Sequence, residues 1–580
     1  MKISGAKMVI EALHLEGTKT VFGYPGGAIM HVYDEIYQQN YFRHILTKHE
    51  QGAVHAADGY ARATGEVGVA IVTSGPGFTN AVTGLATAYS DSIPLVVISG
   101  QVPSAVIGTD AFQEIDAVGI SRSCVKHNFL VKSTKEIPRI IKEAFYIART
   151  GRPGPVHIDI PKDFTMEEAL FDYSFDVCIP TYKPTTKGNM RQIKKALSAI
   201  ARAKRPLIYV GGGAILSNCS EQVREFAKRT NIPVVETLMA RGVMSHDDKL
   251  LMGMLGMHGE YCANMAMYET DMVIALGARF DDRVTGKLDE FAKGAKIVHV
   301  DIDPASIGKI VDIDFPIVGD LSNVMTLMLD TLTEYKFGDY TDWNGTLKEY
   351  QKQEPLRYND TAEDDKENAV KPQWVIEATG EILGDKAIVS TDVGQHQMWA
   401  GQFYPFSFAR QYLTSGGLGT MGFGLPCAMG VAGAIQDAKD GKINADIKDK
   451  VSINFSGDGS IMMNIQEIMA CSIYDMQTIN IVLNNNYLGM VRQWQTLFYE
   501  DRLAETDLSQ QPDFVKLCES MGGVGYRCTT KDEFRKALKD AVASGKTALI
   551  EILVDRRENV YPMVPNGHTL KEMTLFTDDK

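Results

Sequence analysis

The sequence has little of several features that would mark a particular class of protein. Its 580 residues contain eight scattered cysteines and no C-x-x-C pair, a pattern typical of free thiols in a reducing cytoplasm rather than of disulfides or a zinc site. No apolar run of 18 or more residues predicts a membrane span, and the N-terminal MKISGAKMVIEALHLEG has no long apolar region or cleavage site typical of a targeting peptide. Basic residues number 59 against 73 acidic ones, and the formal charge of −14 argues against a nucleic-acid or membrane partner. We therefore expect a cytoplasmic globular protein.

Strand-length apolar runs alternate with helix-length segments along most of the chain, as in VGVAIVTSG, PLIYVGGG, KIVHVDID and VSINFSG. This alternation predicts an α/β fold of doubly wound parallel sheets with helices on both faces, and the length exceeds that of a single core. Polar stretches near residues 180–190 and 335–372 indicate domain boundaries. We predict three such domains: an N-terminal domain over 1–185, a central domain over 190–340 and a C-terminal domain over 373–580. A linker over 341–372 joins the second to the third.

Two segments of the outer domains share one pattern. Residues 68–101 and 451–486 each contain a strand, a Ser-Gly-x-Gly turn, a helix and a second strand. The pattern predicts two related domains, although chance is an alternative because such turns are common in α/β proteins. The variable residue is Pro76 in the first segment and Asp458 in the second. A turn that needs only shape can use proline, whereas a turn that holds a cation needs the carboxylate.

The second segment has the residue types of a magnesium site. Three asparagines, 484–486, follow the strand after Asp458, and the ends of neighbouring parallel strands meet at one edge of a sheet. Carboxylate and amide oxygens suit Mg²⁺, and the backbone N–H groups of Gly459 and Ser460 at a helix N-terminus suit a phosphate. The spacing, Gly-Asp-Gly, 24 residues and Asn-Asn, resembles the thiamin diphosphate binding motif. The resemblance implies Asp458, Asn485 and the main-chain carbonyl of Tyr487 as metal ligands.

A second glycine-rich string, residues 417–422, matches G-x-G-x-x-G and offers a Rossmann dinucleotide site as an alternative. No acidic residue closes a following strand at the expected distance, and the helix-like LPCAMGVAGAIQDAKDG comes next, which disfavours this alternative. In thiamin diphosphate enzymes the same stretch contacts the middle of the cofactor. The resemblance implies that the Gly419 carbonyl binds the aminopyrimidine, that Met421 supports the bent cofactor, and that Gln395 and His396 are diphosphate donors.

The thiamin reaction also needs a carboxylate at the pyrimidine, and the candidate is Glu50 in LTKHEQGAVHAADGYARATG. It lies at the start of a predicted helix, where a glutamate can also serve only to interact with the helix dipole. The surrounding string resembles the first domain of thiamin diphosphate enzymes and favours catalysis. In those enzymes the two halves of the site come from different subunits, which implies a homodimer or a homotetramer.

Nine strings, in order and across nearly the whole chain, resemble the large catalytic subunits of the acetohydroxyacid synthase (acetolactate synthase) family. They are FGYPGGAIM, KHEQGAVHAADGYARATG, TSGPGFTN, DSIPLVVISGQV, GTDAFQEID, RPGPVHIDIPKD, GARFDDRVTG, SGGLGTMGFGLP and NNNYLGMVRQWQ. The resemblance implies a transferase that decarboxylates pyruvate to hydroxyethyl-thiamin diphosphate and transfers the two-carbon unit to a second 2-oxo acid. Pyruvate would give 2-acetolactate and 2-oxobutanoate would give 2-aceto-2-hydroxybutanoate, on the routes to valine, leucine and isoleucine.

The same resemblance assigns substrate residues. Gly26 and Gly27 in a Tyr-Pro-Gly-Gly turn would let a backbone N–H approach the reacting carbonyl, although a plain tight turn is an alternative. The resemblance implies that Phe112, Gln113 and Lys162 line the site. It also implies that Arg283 binds the carboxylate of the acceptor and that Trp494 favours the larger acceptor, 2-oxobutanoate. A guanidinium suits a carboxylate because it binds in a bidentate manner.

The central domain lacks an acid–base constellation, and its glycine-rich strand ends resemble an FAD site that is structural in this family. The implied positions are Arg152, Gly212, Thr237, Met257, His258, Gly277, Arg279, Asp301 and Asp320. The resemblance also implies a separate small regulatory subunit. The alternative is another thiamin-dependent lyase or oxidase, such as glyoxylate carboligase, which lacks the catalytic glutamate, or pyruvate oxidase, which turns its flavin over. A binding protein on a retired scaffold would be expected to lose Glu50, Asp458 and Asn485.

Overall fold

The structure is a computed structural model, and it describes residues 1–360 and 370–577. Residues 361–369 of the predicted linker and the last three residues of the predicted C-terminal domain lie outside the described residues. Within the described residues, 1–360 and 370–577, no helix has both the length and the apolar character that crossing a bilayer requires.

The chain forms two compact units. The first joins the N-terminal and C-terminal regions and comprises Met1–Lys183, Lys386–His396 and Leu413–Val554. The second is built on the central region and comprises Pro184–Asp385, Gln397–Tyr412 and Asp555–Lys580. This division follows contacts rather than sheets, and the limits of the three predicted domains stay a prediction.

The N-terminal region of the first unit is built on a parallel sheet. Its strands are β1 Lys2–Ser4, β2 Thr20–Gly23, β3 Arg43–Leu46, β4 Gly68–Val72, β5 Leu95–Gln101, β6 His127–Leu130, β7 Pro155–Pro161 and β8 Glu168–Leu170. Its helices are α1 Gly5–Leu15, α2 Met30–Gln38, α3 Glu50–Thr64, α4 Pro76–Asp91, α5 Ala117–Ser121, α6 Ile137–Arg149 and α7 Lys162–Met166. The sheet has the order β3-β2-β4-β5-β7-β6, and β1 pairs with β8. Strands β4, β5 and β7 are buried throughout, which is why they read as continuous apolar runs.

The second unit contains the central sheet. Its strands are β9 Pro206–Val210, β10 Val234–Glu236, β11 Leu251–Met254, β12 Met272–Leu276, β13 Lys296–Asp301 and β14 Phe315–Val318. Its helices are α8 Met190–Ile200, α9 Gly213–Leu216, α10 Ser220–Thr230, α11 Tyr261–Glu269, α12 Asp282–Thr285, α13 Leu321–Thr331, α14 Thr341–Gln353 and α15 Pro372–Leu383. The parallel sheet has the order β11-β10-β9-β12-β13-β14.

The C-terminal sheet belongs to the first unit. The strands are β15 Ala387–Thr391, β16 Tyr412–Thr414, β17 Val451–Gly457, β18 Thr478–Asn484, β19 Val524–Cys528 and β20 Ala548–Leu553. The helices of this region are α16 Gln395–Phe403, α17 Gly424–Lys439, α18 Asp458–Ile461, α19 Glu467–Ile473, α20 Gly489–Phe498, α21 Phe514–Ser520 and α22 Lys531–Ser544. The sheet has the order β16-β15-β17-β18-β20-β19.

The strand orders separate the outer sheets from the central one. Numbered within each sheet, both outer sheets have the order 2-1-3-4-6-5, whereas the central sheet has the order 3-2-1-4-5-6. The shared order confirms that the first and third sheets are related. The central order is the one that doubly wound dinucleotide-binding folds use.

The two related segments differ in the helix that follows the glycine turn. In the N-terminal region this helix is the continuous α4, but in the C-terminal region it is broken between α18 and α19. At the break, the buried Asn464 donates a hydrogen bond from Nδ2 to the Gly422 carbonyl at 2.7 Å. The side chain thus ties the break to the turn before α17, a long-range contact that the local sequence does not reveal.

Helices α3 and α17 pack the two outer regions together within one chain. Helix α3 begins with a cap in which Nδ1 of His49 accepts the Gln51 N–H, and it ends at Gly65, whose φ of 81° is the left-handed conformation common after helices. The helices cross so closely that a Cβ on Gly430 would lie 2.0 Å from the Ala56 carbonyl oxygen, and one on Gly59 would lie 2.2 Å from the Cys427 carbonyl oxygen. This crossing requires glycine on both helices.

Candidate functional site

The Gly-Asp-Gly turn lies at the carboxyl end of β17. Gly457, the last residue of β17, pairs with Leu483 of β18, so the asparagine run that ends β18 lies at the same edge of the sheet. Asp458 follows as the first residue of α18, and its side chain is buried. Its Oδ2 accepts a hydrogen bond from Gln511 Nε2 at 3.1 Å, and burial raises the pKa of Asp458 to about 7. A cation bound here would favour the ionised carboxylate, so the position suits a metal ligand.

Asn485 supplies an amide group at the neighbouring strand end. Its Nδ2 donates to Gln395 Oε1 at 3.3 Å, and its Oδ1 accepts the Tyr487 backbone N–H at 3.0 Å. Gln395 also donates to Gln493 Oε1 at 2.9 Å. Because an amide oxygen has two lone pairs, Asn485 Oδ1 can still bind a cation. Among the described residues no group of three or more His, Cys, Asp or Glu side chains has metal-binding geometry, so a metal here would rely on mixed oxygen ligands.

Groups suited to a diphosphate lie at the same edge. His396 in α16 is buried, its Nε2 has no hydrogen-bond partner among the described residues, and burial lowers its pKa to about 3. A Cβ on Gly457 would lie 3.1 Å from His396 Nδ1, which explains a small residue there. Ser460 Oγ donates to the Val393 carbonyl at 3.1 Å, and the N–H groups of Gly459 and Ser460 belong to the first turn of α18. Unpaired N–H groups in a first turn favour an anion.

The glycine loop before α17 is open to a ligand. Gly419 has a φ of 74°, and, its chain neighbours aside, the one atom of the described residues within 4 Å of its Cβ position is Val393 Cγ1 at 3.9 Å. The terminal methyl of Met421 lies 3.9 Å from the Cβ position of Gly459, which brings the predicted cofactor-supporting methionine beside the Gly-Asp-Gly turn. The string follows β16, an edge strand, whereas a Rossmann fingerprint follows a strand at the sheet's switch point. The position therefore does not support the Rossmann alternative.

Asp392 joins these segments, and the sequence analysis assigns it no role. It is buried, its carboxylate accepts Ser456 Oγ at 2.6 Å and the Gly424 N–H at 2.8 Å, and burial raises its pKa. The two partners belong to the Gly-Asp-Gly strand and to the start of α17. A signal was present, because Asp392 directly follows a strand in the string DVGQH, next to two predicted diphosphate donors.

Glu50 is the first residue of α3, in the N-terminal half of the candidate site. Its Oε2 accepts a hydrogen bond from Asn80 Nδ2 of α4 at 3.0 Å. Its Oε1 lies 3.3 Å from the Cβ position of Gly77, in the turn that corresponds to Gly-Asp-Gly. Glu50 thus hydrogen-bonds within the N-terminal region, and Asp458 within the C-terminal region. Asn80 is a second residue that the sequence analysis missed.

The Tyr-Pro-Gly-Gly turn follows β2 at the same edge of the N-terminal sheet. A Cβ on Gly26 would lie 2.6 Å from side-chain atoms of Thr73, so close packing already explains this glycine. No atom lies within 4 Å of the Cβ position of Gly27, which is exposed. The open space at Gly27 is consistent with a backbone that a ligand approaches.

Three predicted substrate residues follow β5 and β7 at this edge. The loop after β5 carries Phe112, which is 87% exposed, and Gln113, whose φ is 61°. The Gln113 carbonyl oxygen lies 2.8 Å from the Cβ position of Gly75, so the loop packs on the Ser-Gly-Pro-Gly turn. Lys162 begins α7 directly after β7. The structure therefore brings Phe112, Gln113 and Lys162 to the carboxyl edge that carries Glu50.

Three other predicted site residues have different surroundings. Trp494 lies on α20, after the asparagine run, and its buried indole Nε1 has no hydrogen-bond partner in the part of the chain that the structure describes. Arg283 lies in the second unit, mostly exposed, and donates from Nη1 to Asn566 Oδ1 at 3.1 Å. Arg152 lies in the first unit and donates from Nε to Ser92 Oγ at 2.8 Å.

The central sheet reverses its order between β9 and β12, and predicted FAD glycines follow both strands. Gly212 follows β9, and Gly277, with a φ of 62°, follows β12. The two turns touch, because the Gly213 N–H donates to the Gly277 carbonyl at 3.0 Å and a Cβ on Gly213 would lie 2.7 Å from Gly277 Cα. Doubly wound sheets bind dinucleotides in the crevice at such a reversal.

The other central residues predicted for FAD lie at the ends of the remaining strands. Thr237 follows β10 and His258 follows β11, and the buried Thr237 Oγ1 and His258 Nδ1 have no hydrogen-bond partner within 1–360 and 370–577. Unsatisfied buried polar atoms at a strand edge fit a polar ligand. The remaining members lie at or beyond the ends of β11 to β14: Met257, Arg279, Asp301 and Asp320.

The chain matches three domain families of thiamine pyrophosphate (thiamin diphosphate) enzymes. The N-terminal TPP binding domain matches residues 3–120, the central domain matches residues 193–328, and the C-terminal TPP binding domain matches residues 392–552. These matches correspond to the three six-stranded sheets and confirm the predicted α/β fold class.

Curated relatives match the chain along its whole length. The acetolactate synthase large subunit of Haemophilus influenzae is 47% identical over 580 residues, which cover 99% of this chain and 98% of that protein. The acetolactate synthase isozyme 3 large subunit of Escherichia coli K12 is 45% identical over 587 residues, covering 100% and 99%. The probable acetolactate synthase large subunit of Methanocaldococcus jannaschii is 46% identical, covering 98% and 94%. The family predicted from the sequence strings is therefore confirmed: the chain belongs to the acetolactate synthase large subunits, a family of thiamine pyrophosphate enzymes.

Proposed function

We propose that this chain decarboxylates pyruvate and transfers the resulting two-carbon unit to a second 2-oxo acid. Pyruvate as acceptor gives 2-acetolactate and 2-oxobutanoate gives 2-aceto-2-hydroxybutanoate, with one CO₂ released in each turnover, in branched-chain amino-acid biosynthesis. The observation that carries the proposal is the meeting of Asp458, Asn485 and Gln395 at one sheet edge. The chain around them is 45–47% identical to acetolactate synthase large subunits along its whole length.

The donor set of the C-terminal sheet fits thiamin diphosphate with Mg²⁺. Asp458, Asn485 Oδ1 and the Tyr487 carbonyl would hold the metal, and two protein side chains with one carbonyl leave positions for water and phosphate oxygens. The Gly459 and Ser460 N–H groups, with Gln395 and His396, would receive the diphosphate. The thiazolium group of the cofactor supplies carbanion chemistry when it is bound.

In the N-terminal half, Glu50 would hold the proton that the aminopyrimidine exchanges. Asn80 donates to Oε2, which orients the carboxyl group and leaves Oε1, beside Gly77, as the proton-carrying atom. The backbone of Gly27 would approach the reacting carbonyl, because open space surrounds it. The loop with Phe112 and Gln113, together with Lys162, would line the substrate space and exclude water.

We propose FAD for the central sheet and a structural role for it. The reversal of strand order between β9 and β12, the touching glycine turns and the unsatisfied atoms of Thr237 and His258 support a dinucleotide there. The chemistry above transfers no electrons to an oxidant, so a bound flavin would not turn over. Arg283 would bind the acceptor's carboxylate, and Trp494 would favour the larger acceptor.

The assay that tests the activity is acetolactate formation from pyruvate, with thiamin diphosphate, Mg²⁺ and FAD each omitted in turn. The expected result is activity that needs all three, without bleaching of the flavin. Activity without FAD would overturn the FAD proposal and keep the reaction. Flavin bleaching under pyruvate would favour an oxidase, and absence of acetolactate under every condition would overturn the substrate assignment.

The role of Glu50 has its own test. Glu50→Gln should slow hydrogen–deuterium exchange at the thiazolium carbon of the bound cofactor while cofactor binding survives. Cofactor affinity measured in parallel separates the two effects. An unchanged exchange rate would remove Glu50 from cofactor activation.

A homodimer or a homotetramer would complete each site from two chains. Exposed apolar side chains around the predicted site residues support a covering copy: Phe112, Leu418, Met462, Met463, Met469 and Ile473. Mixing Glu50→Gln chains with Asp458→Asn chains, at a Mg²⁺ concentration too low for the Asp458→Asn chain to be active alone, tests this, because a mixed dimer would then contain one intact site. The expected activity is about a quarter of that of wild type, since about half of the dimers are mixed. No regained activity from chains shown to exchange would place both halves in one chain.

A separate small regulatory subunit is the proposed protein partner, since the relatives from Haemophilus influenzae and Escherichia coli are named large subunits. Co-expression with a candidate small subunit should change the acetolactate synthase activity of the purified chain. Activity that is unaffected by any co-purifying small subunit would contradict this proposal.

A further inference from the structure

Glu467 is a buried carboxylate that the proposed mechanism does not use. It is the first residue of α19 in the C-terminal region, and its exposed fraction is 0%. Its two carboxylate oxygens accept the backbone N–H of Lys48 at 2.9 and 3.1 Å. Lys48 belongs to the N-terminal region, so the contact joins the two outer regions within the first unit. Burial raises the pKa of Glu467 to about 8.

The contact lies where the chain enters the helix that carries Glu50. Lys48 precedes Glu50 by two residues, and His49 between them caps α3 by accepting the Gln51 N–H. A Cβ on Gly52 would lie 2.5 Å from Glu467 Oε1, so the carboxyl group also rests against the first turn of α3. Glu467 therefore contacts the backbone on both sides of Glu50.

Glu467 also has a short covalent connection to the metal-binding turn. Asp458 begins α18, and Glu467 begins α19 nine residues later. Between them, Asn464 fixes the break through its hydrogen bond to the Gly422 carbonyl at 2.7 Å. The segment that carries the proposed metal ligand therefore continues directly into the residue that holds the entry to α3.

We propose that Glu467 is a positioning residue, which fixes Glu50 by holding the Lys48–Glu50 backbone at the start of α3. The inference rests on the proposed function, because it concerns the activation of thiamin diphosphate by Glu50. Glu467 touches neither cofactor nor substrate in this role. A different role, as packing between the outer regions only, would affect stability and leave cofactor activation unchanged.

Asp437 of α17 is a matched control. It is also a buried carboxylate of the C-terminal region that accepts hydrogen bonds from the N-terminal region, from Thr20 Oγ1 at 2.6 Å and from Tyr60 OH at 3.1 Å. Its contacts lie on β2, on Arg43 of β3, whose Nη2 donates to Asp437 Oδ1 at 3.3 Å, and in the C-terminal half of α3, away from the Lys48–Glu50 segment. Removing either carboxylate weakens the same pair of regions, but only Glu467 holds the segment with Glu50.

The experiment compares Glu467→Ala, Glu467→Gln and Asp437→Ala with wild type, each loaded with thiamin diphosphate, Mg²⁺ and FAD. The measurements are hydrogen–deuterium exchange at the thiazolium carbon, kcat and KM for pyruvate, and Tm. Glu467→Ala should slow exchange and lower kcat by at least about tenfold with KM within about twofold, because a misplaced catalytic group loses rate rather than binding. Glu467→Gln should restore most of the exchange rate, since its amide oxygen can accept the Lys48 N–H. Asp437→Ala should lower Tm without slowing exchange.

Three results would overturn the inference: unchanged exchange in Glu467→Ala, equal slowing in Asp437→Ala, or no restoration in Glu467→Gln. If Glu467→Ala does not fold, Glu467→Asp, whose shorter side chain withdraws the oxygens from Lys48, takes its place with the same expected slowing. The proposed function fails separately, through absence of acetolactate from wild type. In that case the inference can still be tested, because the slowing of thiazolium hydrogen–deuterium exchange in Glu50→Gln relative to wild type gives the reference for the Glu467 variants.

Discussion

The crossing of α3 and α17 gives a prediction with opposite signs at two glycines of one helix. A Cβ added at Gly430 would lie 2.0 Å from the Ala56 carbonyl oxygen and 2.7 Å from the Tyr60 nitrogen. A Cβ added at Gly433, three residues further along α17, would lie 3.5 Å from Phe22 Cζ and 3.6 Å from Met476 Cε, which are ordinary contacts. Alanine should therefore destabilise at the first position and stabilise at the second.

The magnitudes follow from what each methyl group meets. At Gly430 the obstructing atoms are backbone and cannot rotate away, so the helices must separate by about 1 Å, and overpacking of this kind costs about 1–3 kcal/mol or more. At Gly433 alanine removes backbone freedom from the unfolded chain, which stabilises a helix by about 0.5–1 kcal/mol, and the buried methyl adds up to about 0.8 kcal/mol. The two variants should differ by roughly 2–5 kcal/mol in the free energy of unfolding.

The assay is calorimetric or fluorescence-monitored thermal unfolding of wild type, Gly430→Ala and Gly433→Ala under one set of conditions. Gly433→Ala should melt at or above the wild-type Tm, and Gly430→Ala should melt several degrees below it. Acetolactate formation at low temperature checks that both variants fold. If Gly430→Ala melts with or above Gly433→Ala, the backbone contact between α3 and α17 cannot be as close as described.

Three buried charged groups give further predictions. Burial raises the pKa of Asp159 to about 7, so folding favours its protonated form and the stability it contributes below pH 3.8 is lost as the pH rises to 7. The Tm of Asp159→Asn relative to wild type should therefore rise across that range, and a constant difference would contradict this. Arg62→Met removes the buried guanidinium that pairs with Asp58 and Asp91. This variant should lower the free energy of unfolding in urea by about 3–5 kcal/mol, and a loss below about 1 kcal/mol would be evidence against the ion pairs. Asp458→Asn should raise the Mg²⁺ concentration for half-maximal activity by roughly tenfold or more, and unchanged Mg²⁺ dependence would remove Asp458 from the metal site.

The fold class and the edge of the C-terminal site follow from local sequence and sheet geometry. Buried parallel strands give continuous apolar runs, and such runs can be recognised without tertiary information. Asp458 and Asn485 could be predicted to meet because each follows a strand, and parallel strands end at one edge. The pairing of Gly457 with Leu483 meets that expectation. The meeting of Asp458 and Asn485 therefore requires only that β17 and β18 be neighbours, and it does not depend on the order of the other strands.

The long-range contacts could not be predicted in this way. Glu467 binds Lys48 across 419 residues, and Gly59 lies against the Cys427 backbone and Gly430 against the Ala56 backbone, also far apart in the sequence. Each of these residues is unremarkable in its own segment, because a glutamate or glycine in a helix has many local explanations. Their roles appear only when α3 and α17 are packed, and one sequence contains no record of that packing.

The literal dinucleotide motif and the dinucleotide strand order occur in different sheets. The G-x-G-x-x-G string at 417–422 follows an edge strand of a sheet with the order 2-1-3-4-6-5. The order 3-2-1-4-5-6 belongs to the central sheet, whose first strand is followed by Gly211, Gly212 and Gly213 without the full fingerprint. Glycine spacing alone is therefore a weaker guide than the position of a turn in its sheet.

The corresponding turns of the two outer sheets differ at one residue, Pro76 in the first and Asp458 in the second. In the first sheet, Pro76 begins α4 without charge, and the Gln113 loop packs over the turn at 2.8 Å from the Cβ position of Gly75. In the second, the same position is Asp458, buried beside one amide donor from Gln511. A buried carboxylate is unfavourable unless a cation or hydrogen bonds compensate it, so only the second turn has a physical reason to hold a metal. The first turn instead lies against Glu50, and the related sheets thus carry the proposed acid–base group and the proposed metal ligand separately.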